Sequence, residues 1–312
     1  IDLIWHKLYR RFTGGGGHGG FVTTLLSGVD IALWDIKGKV MNKPIYELFG
    51  GPVLDSIPMY THVTPGNPQE AAQQAKDRVA EGYTALKTDP FLPEMQQYHR
   101  RYISGTISAS GAAAGIETVA AIREAVGADI EILIDAHGNF NVPTAIKLGR
   151  QLEPYDITWF EEPVQPDSYD ALRHVKENVN VPLCVGERLY TRWDFLPVLT
   201  GRLAEYIMPD VLWTGGISEL RKIANLAEVF YIPVSPHDAS GPINILAGAH
   251  TMMTVPNFYK LEIGTGLLDL YSKMVSPALK IENGYLHLPK SPGLGIELNT
   301  DYLDSHLDPD WI

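Results

Sequence analysis

From about residue 55 onward, the apolar residues of this 312-residue chain fall into one repeated rhythm. Short runs rich in β-branched and aromatic residues recur: "SIPMYTHV", "ALKTD", "IEILIDA", "ITWFEEP", "PLCVGE", "EYIMPD", "IPVSPH" and "FYKLEI". Between most of them lie stretches whose apolar positions recur at helical spacing, as Ile217, Leu220, Ala224 and Ala227 do in "ISELRKIANLAEVF". In "NPQEAAQQAKDRVAEGY", Asn67 can cap, Pro68 suits the first helical position, Glu70 completes a capping box, and Gly82 stops the helix. Strand and helix in alternation, with about eight strands, predict an α/β chain folded as a parallel (β/α) barrel. A doubly wound open sheet is the alternative. It is weakened because no glycine-rich phosphate loop opens a helix after the first strand.

The two ends break the rhythm. Residues 1–50 read as two helices joined by the turn "TGGGGHGG", and residues 283–312 are turn-rich and carry "SPGLGIEL". The segment "LPEMQQYHRRYISGTISASGAAAG" is long for a connection between a strand and a helix. The opening "IDLIWHKLYRR" reads as the middle of an amphipathic helix, so residues ahead of Ile1 are expected in the full protein.

Composition narrows the classes. At 45% apolar residues the chain can build one large domain, or one with a smaller piece beside it. No run of 18 apolar residues predicts a membrane span, and no signal-peptide pattern opens the chain. The one cysteine, Cys184 in "VPLCVGE", cannot form an internal disulfide, and a reducing, cytoplasmic setting is expected. A net charge of −12 argues against nucleic acid as a partner. It leaves room for an anionic substrate, because a bound cation reverses the local sign.

The candidate chemistry lies at the strand ends. Asp135, Glu161 and Glu187 each follow an apolar run, and successive members are 26 residues apart. That is about the length of one strand–helix unit, so the spacing predicts three carboxylates on adjacent strands, level with one another at the C-terminal rim of the barrel. One such acid is ordinarily a helix cap or a surface group. Three converging without a cation would repel, and hard oxygen ligands in a cluster of three suit Mg²⁺. Glu162 alternates to the other side of its strand, which suits an ion pair with a neighbouring side chain. His137 follows Asp135 by two. His237 ends "IPVSPH", and Asp210 ends the strand before it, where an acid can hold the imidazole in one tautomer. Glu262 ends the last run, and Lys87 and Asp89 end the second. A salt bridge within the rim is the bland alternative for these last residues.

These residues resemble the enolase superfamily, mandelate racemase subgroup. "ALWDIKGKVMNKPIYELFGG" is similar to the helix that leads from that family's capping domain into its barrel. "IDAHG", "FEEP", "GERLYTRWDF", "MPD", "TGGISE", "SPH" and "PGLGIEL" follow in the family's order and spacing, so the resemblance covers nearly the whole chain. Within the subgroup it is strongest to the galactonate dehydratase-like sugar-acid dehydratases. The resemblance implies a (β/α)7β barrel over residues 55–282, a remnant of the capping domain over 1–54, and a C-terminal segment, 283–312, packing back on it. It further implies that Asp135, Glu161 and Glu187 bind Mg²⁺, that His237 paired with Asp210 is the general base, and that His137 is the general acid. Glu262 would hydrogen-bond the substrate carboxylate or its enediolate. Lys87, Asp89 and Tyr60, taken as rim-facing, would bind the hydroxyls of a small sugar acid. A soluble homo-oligomer without nucleic-acid or membrane partners is expected.

The racemase uses a lysine pair on the second strand, and its second lysine is a base. Asp89 stands at that place here, and the racemase has no histidine where His137 stands, so dehydration is favoured. An epimerase, racemase or cycloisomerase of acid sugars is the alternative within the superfamily. A non-catalytic barrel protein is the alternative outside it. The segment with Tyr98, His99, Arg100, Arg101 and Tyr102 has no counterpart in the resemblance.

Overall fold

The computed structural model describes residues 1–307 except 17–18, 65, 94–103 and 265, so the segment Tyr98–Tyr102 lies outside the described residues. Two helices open the chain, α1 (Asp2–Gly16) and α2 (Gly20–Met41). The alternating part follows: β1 (Ile57–His62), α3 (Pro68–Ala80), β2 (Ala85–Thr88), α4 (Ala109–Val126), β3 (Glu131–Asp135), α5 (Val142–Leu152) and β4 (Trp159–Glu161). It continues with α6 (Tyr169–Lys176), β5 (Leu183–Val185), α7 (Thr191–Thr200), β6 (Tyr206–Ile207), α8 (Ile217–Val229), α9 (Pro242–Met252) and β7 (Leu261–Ile263).

The strands pair in parallel from β1 through β6. Single parallel bridges, Ile207–Val234 and Val234–Phe258, carry the sheet across a seventh stave, and β7 pairs with β1 to close the ring. Among the described residues the barrel thus has eight staves and a helix after each of the first seven. Helix starts match their local chemistry: the side chain of Asn67 accepts from the Glu70 amide at 2.9 Å, and those of Ser108 and Asn141 cap α4 and α5 in the same way.

The ring is filled from inside. Tyr60, Ala85, Leu133, Trp159, Cys184 and Met208, one from each of β1 to β5 and one just past β6, form a buried cluster within it. The larger core lies between the staves and the helices.

The chain ends with α10 (Leu267–Met274), β8 (Val275–Ser276), β9 (Lys280–Glu282), β10 (Tyr285–His287), β11 (Glu297–Leu298) and α11 (Thr300–Asp304). β10 pairs with the start of β1, and β11 pairs with β8. This segment also touches α2: the Leu294 amide donates to Asp35 at 2.8 Å, and Lys39 pairs with Glu297. No helix among the described residues is long and apolar enough to cross a membrane.

Candidate active site

Side chains on a strand alternate, so the residue two places beyond each member of the inner cluster faces the same interior, one layer higher. Those residues are His62 after Tyr60, Lys87 after Ala85, Asp135 after Leu133, Glu161 after Trp159, and Asp210 after Met208. The floor of the site is thus a polar layer resting on an apolar one.

Cys184 is the exception, because the next inward position is Gly186. Glu161 is in register with Cys184, and β5 ends at Val185, so Glu187 does not lie level with the other two acids on the sheet. It reaches them through a turn. Gly186 has φ +138, and a Cβ there would stand 2.7 Å from the Phe195 ring. Glu162 holds this turn: its carboxylate accepts from the Gly186 amide and pairs with Arg188, which also pairs with Glu187. The outcome is the one expected from the spacing, reached by a different path. Ligand oxygens of Asp135, Glu161 and Glu187 all lie within 4.8 Å of one another, and all three residues are buried.

Lys87 sits against this cluster. Its ammonium lies 3.1 Å from Asp135, 2.9 Å from Glu161 and 2.7 Å from Glu262. Burial works against its charge, but the three carboxylates outweigh burial and hold the ammonium well above its usual range. Glu161 is pushed well above the usual carboxylate range, by burial first and then by Asp135. Lys87 and Arg188 together still supply fewer positive charges than the four carboxylates Asp135, Glu161, Glu187 and Glu262 carry when ionised. Three hard carboxylate oxygens with excess negative charge fit a divalent cation such as Mg²⁺.

Two histidines face the cluster, each on its own acid. His237 Nδ1 lies 2.7 Å from Asp210 Oδ2, and its Nε2 lies 3.3 Å from Glu187. Burial opposes protonation of this ring, but Glu262, Asp210 and Glu187 overcome it and raise its pKa to about 10. His137 Nδ1 lies 2.8 Å from Asp89 Oδ2. Its backbone is left-handed, with φ +50, and its amide donates to Asp135 Oδ1 at 2.8 Å. Strain of this kind collects at functional sites. Burial again opposes the charge, while Asp89 and Asp135 raise the pKa of His137.

Glu262 collects donors. Its Oε1 lies 2.6 Å from His62 Nε2, and its Oε2 accepts from the Asp238 amide at 3.1 Å. Although burial disfavours its charge, Lys87 and His237 keep its pKa well below the usual carboxylate range.

Two expectations change. Tyr60 is not at the rim: it is 0% exposed inside the barrel, edge-on to Trp159, because it sits one layer below His62. The residue of the first strand that reaches the site is His62, at the end of the same "SIPMYTH" run. The strand-tip rule that picked out Asp135 would have found it. Asp89 does not face open space for a hydroxyl either. Its oxygens are taken by His137 and by the Phe91 amide, at 2.8 and 3.0 Å.

Residues 70–302 match the family described as enolase C-terminal domain-like, and residues 1–50 match the N-terminal domain of mandelate racemase / muconate lactonizing enzyme. D-xylonate dehydratase of Haloferax volcanii is 33% identical over 98% of this chain and 75% of its own length. D-galactonate dehydratase of Ralstonia nicotianae is 34% identical over 100% of this chain and 81% of its own. A crystal structure of a mandelate racemase/muconate lactonizing enzyme-like protein from Rubrobacter xylanophilus superposes with a TM-score of 0.92. It is 35% identical over 99% of this chain and 83% of that one.

Proposed function

This chain belongs to the mandelate racemase subgroup of the enolase superfamily, and on that premise we propose that it is a Mg²⁺-dependent dehydratase of a sugar acid. The relatives are named for different sugar acids, so the substrate is proposed as a class: aldonates such as galactonate or gluconate. The observation that carries the reading is the pair of histidine–carboxylate dyads, His237–Asp210 and His137–Asp89, beside one cluster of acids.

The proton at C2 of a carboxylate is weakly acidic, and the negative charge left behind must be stabilised. Asp135, Glu161 and Glu187 would hold Mg²⁺, which when bound supplies a Lewis acid for the substrate oxygens and offsets the Glu187 charge that helps keep His237 protonated. A Lys or His base working beside Mg²⁺ is the established pattern of enolase-superfamily sites, and His237 and Lys87 are the residues of this chain that stand in such places.

In the proposed reaction, Asp210 fixes the His237 proton on Nδ1, which leaves Nε2 to take the C2 proton. The electron pair of the broken C2–H bond is first delocalised into the substrate carboxylate as an enediolate, and in a second step it forms the C2–C3 double bond as the C3–O bond breaks. Hydroxide is a poor leaving group, so His137, kept protonated by Asp89, donates its proton and the 3-hydroxyl departs as water. The enol then ketonises to a 2-keto-3-deoxy acid. Lys87 lines the floor as a fixed cation. Glu262 braces it, and can donate to the substrate carboxylate, its expected role, only with a proton of its own.

The test is a screen of aldonic and aldaric acids with Mg²⁺. A 2-keto-3-deoxy product lighter by one water is expected. An isomer of unchanged mass from every acid that reacts would replace the dehydratase with an epimerase.

A further inference from the structure

α9 is "PINILAGAHTM", a mostly apolar helix buried against the barrel, and Asn244 is the polar residue of its first turn. Asn244 is 1% exposed. Its Nδ2 lies 3.4 Å from Asp210 Oδ1 and 3.4 Å from Oδ2, and its own Oδ1 has no hydrogen-bond partner. A buried amide with an idle carbonyl is unfavourable, and a residue of similar size such as leucine would fit an apolar neighbourhood without that cost. The amide's orientation is settled by Asp210 alone, because the reverse would set a carbonyl against a carboxylate.

We propose that Asn244 is a positioning residue for the His237 base, acting through Asp210. The carboxylate of Asp210 has two other fixed partners. Oδ1 accepts from the Leu212 amide at 2.7 Å, and Oδ2 faces His237 Nδ1 at 2.7 Å. The Asn244 amide adds a donor 3.4 Å from each oxygen, carried on α9, and so gives the carboxylate a third fixed contact from a separate element. The imidazole is then held with hydrogen on Nδ1 and its Nε2 lone pair toward the acid cluster. Residues that orient a ligand or base from behind commonly change activity by about 10–100-fold.

The inference rests on the proposed role of His237, so its test has an arm that needs no substrate. Nitrogen NMR of ¹⁵N-histidine-labelled protein with Mg²⁺ present, followed upward in pH until the His237 ring is neutral, reads its tautomer directly. His237→Asn serves for assignment. Wild type is expected to show one tautomer, protonated on Nδ1. Asn244→Leu is expected to show a mixture. In the kinetic arm, Asn244→Leu should lower kcat about 10–100-fold with KM within a factor of about two, because the substrate's own contacts are untouched. Asn244→Ser, too short to reach Asp210 and undemanding in volume, should behave the same way and covers the case in which leucine does not pack. A variant with the wild-type tautomer signal overturns the proposal, whatever its activity. If no sugar acid is turned over even by wild type, the functional reading fails and the tautomer measurement still decides the role of Asn244.

Discussion

His137 is bound to Asp89 through Nδ1 at 2.8 Å, which joins the end of the second strand to the loop after the third. The contact assigns Asp89 a task that its position alone did not suggest: it fixes the ring of the proposed acid and favours the protonated form. Asp89→Asn removes the charge and keeps the shape. Dehydration is expected to fall about 10–100-fold, while exchange of the C2 hydrogen with solvent persists, since His237 and the acid cluster are intact. Rates of water loss and of C2 exchange, measured on the same protein, check this. Undiminished dehydration would remove Asp89 from the mechanism.

Glu187 is the acid that depends on a turn. Glu187→Gln deletes one charge and one hard oxygen from the cluster. Mg²⁺ affinity should drop by about ten-fold or more and turnover should be lost. Calorimetric titration with Mg²⁺ reads the affinity without substrate. Unchanged affinity would place the cation elsewhere.

Much of this site could be read from the chain because strand alternation and the barrel rim are strong rules. Asp135, Glu161, Asp210, His237 and Glu262 all follow from an apolar run ending in a polar residue, and the family resemblance added their roles. The rule fails where it depends on register. Tyr60 and His62 both lie on β1, two residues apart and facing the same way. Only the closed ring shows that the first lies within the apolar layer and the second in the polar one. Equal spacing suggested that Glu187 was level with Glu161, but helix and loop lengths vary and the register partner is Cys184. Asp89 and His137, and likewise Asn244 and Asp210, meet only through tertiary folding, and no local signal announces such pairs.

Acid stability should depend on His250, in α9. Burial lowers its pKa from 6.5 to about 4, and its Nε2 lies 3.1 Å from the Leu294 carbonyl of the C-terminal segment. The folded state refuses a proton that the unfolded chain accepts below 6.5. The contribution is therefore complete above that pH and is lost as the pH falls toward about 4, amounting to about 3 kcal/mol. His250→Gln, which does not titrate, should flatten that part of the pH dependence. Urea unfolding of both proteins across the range from neutral pH down to about 4 measures it. Parallel curves would mean that His250 takes up its proton equally in both states.

The division of labour between the two histidines is tested most directly in deuterated water, with Mg²⁺ and an aldonate that the wild-type protein dehydrates. C2 deuterium in recovered substrate and 2-keto-3-deoxy product are followed together. With His237→Asn, both signals should vanish, because the base that opens the reaction is gone. With His137→Asn, the product should vanish while some deuterium still enters C2, provided the captured proton reaches solvent before it returns. Deuterium entering C2 in His237→Asn would contradict the assignment of His237 as the base and turn attention to His137 or Lys87.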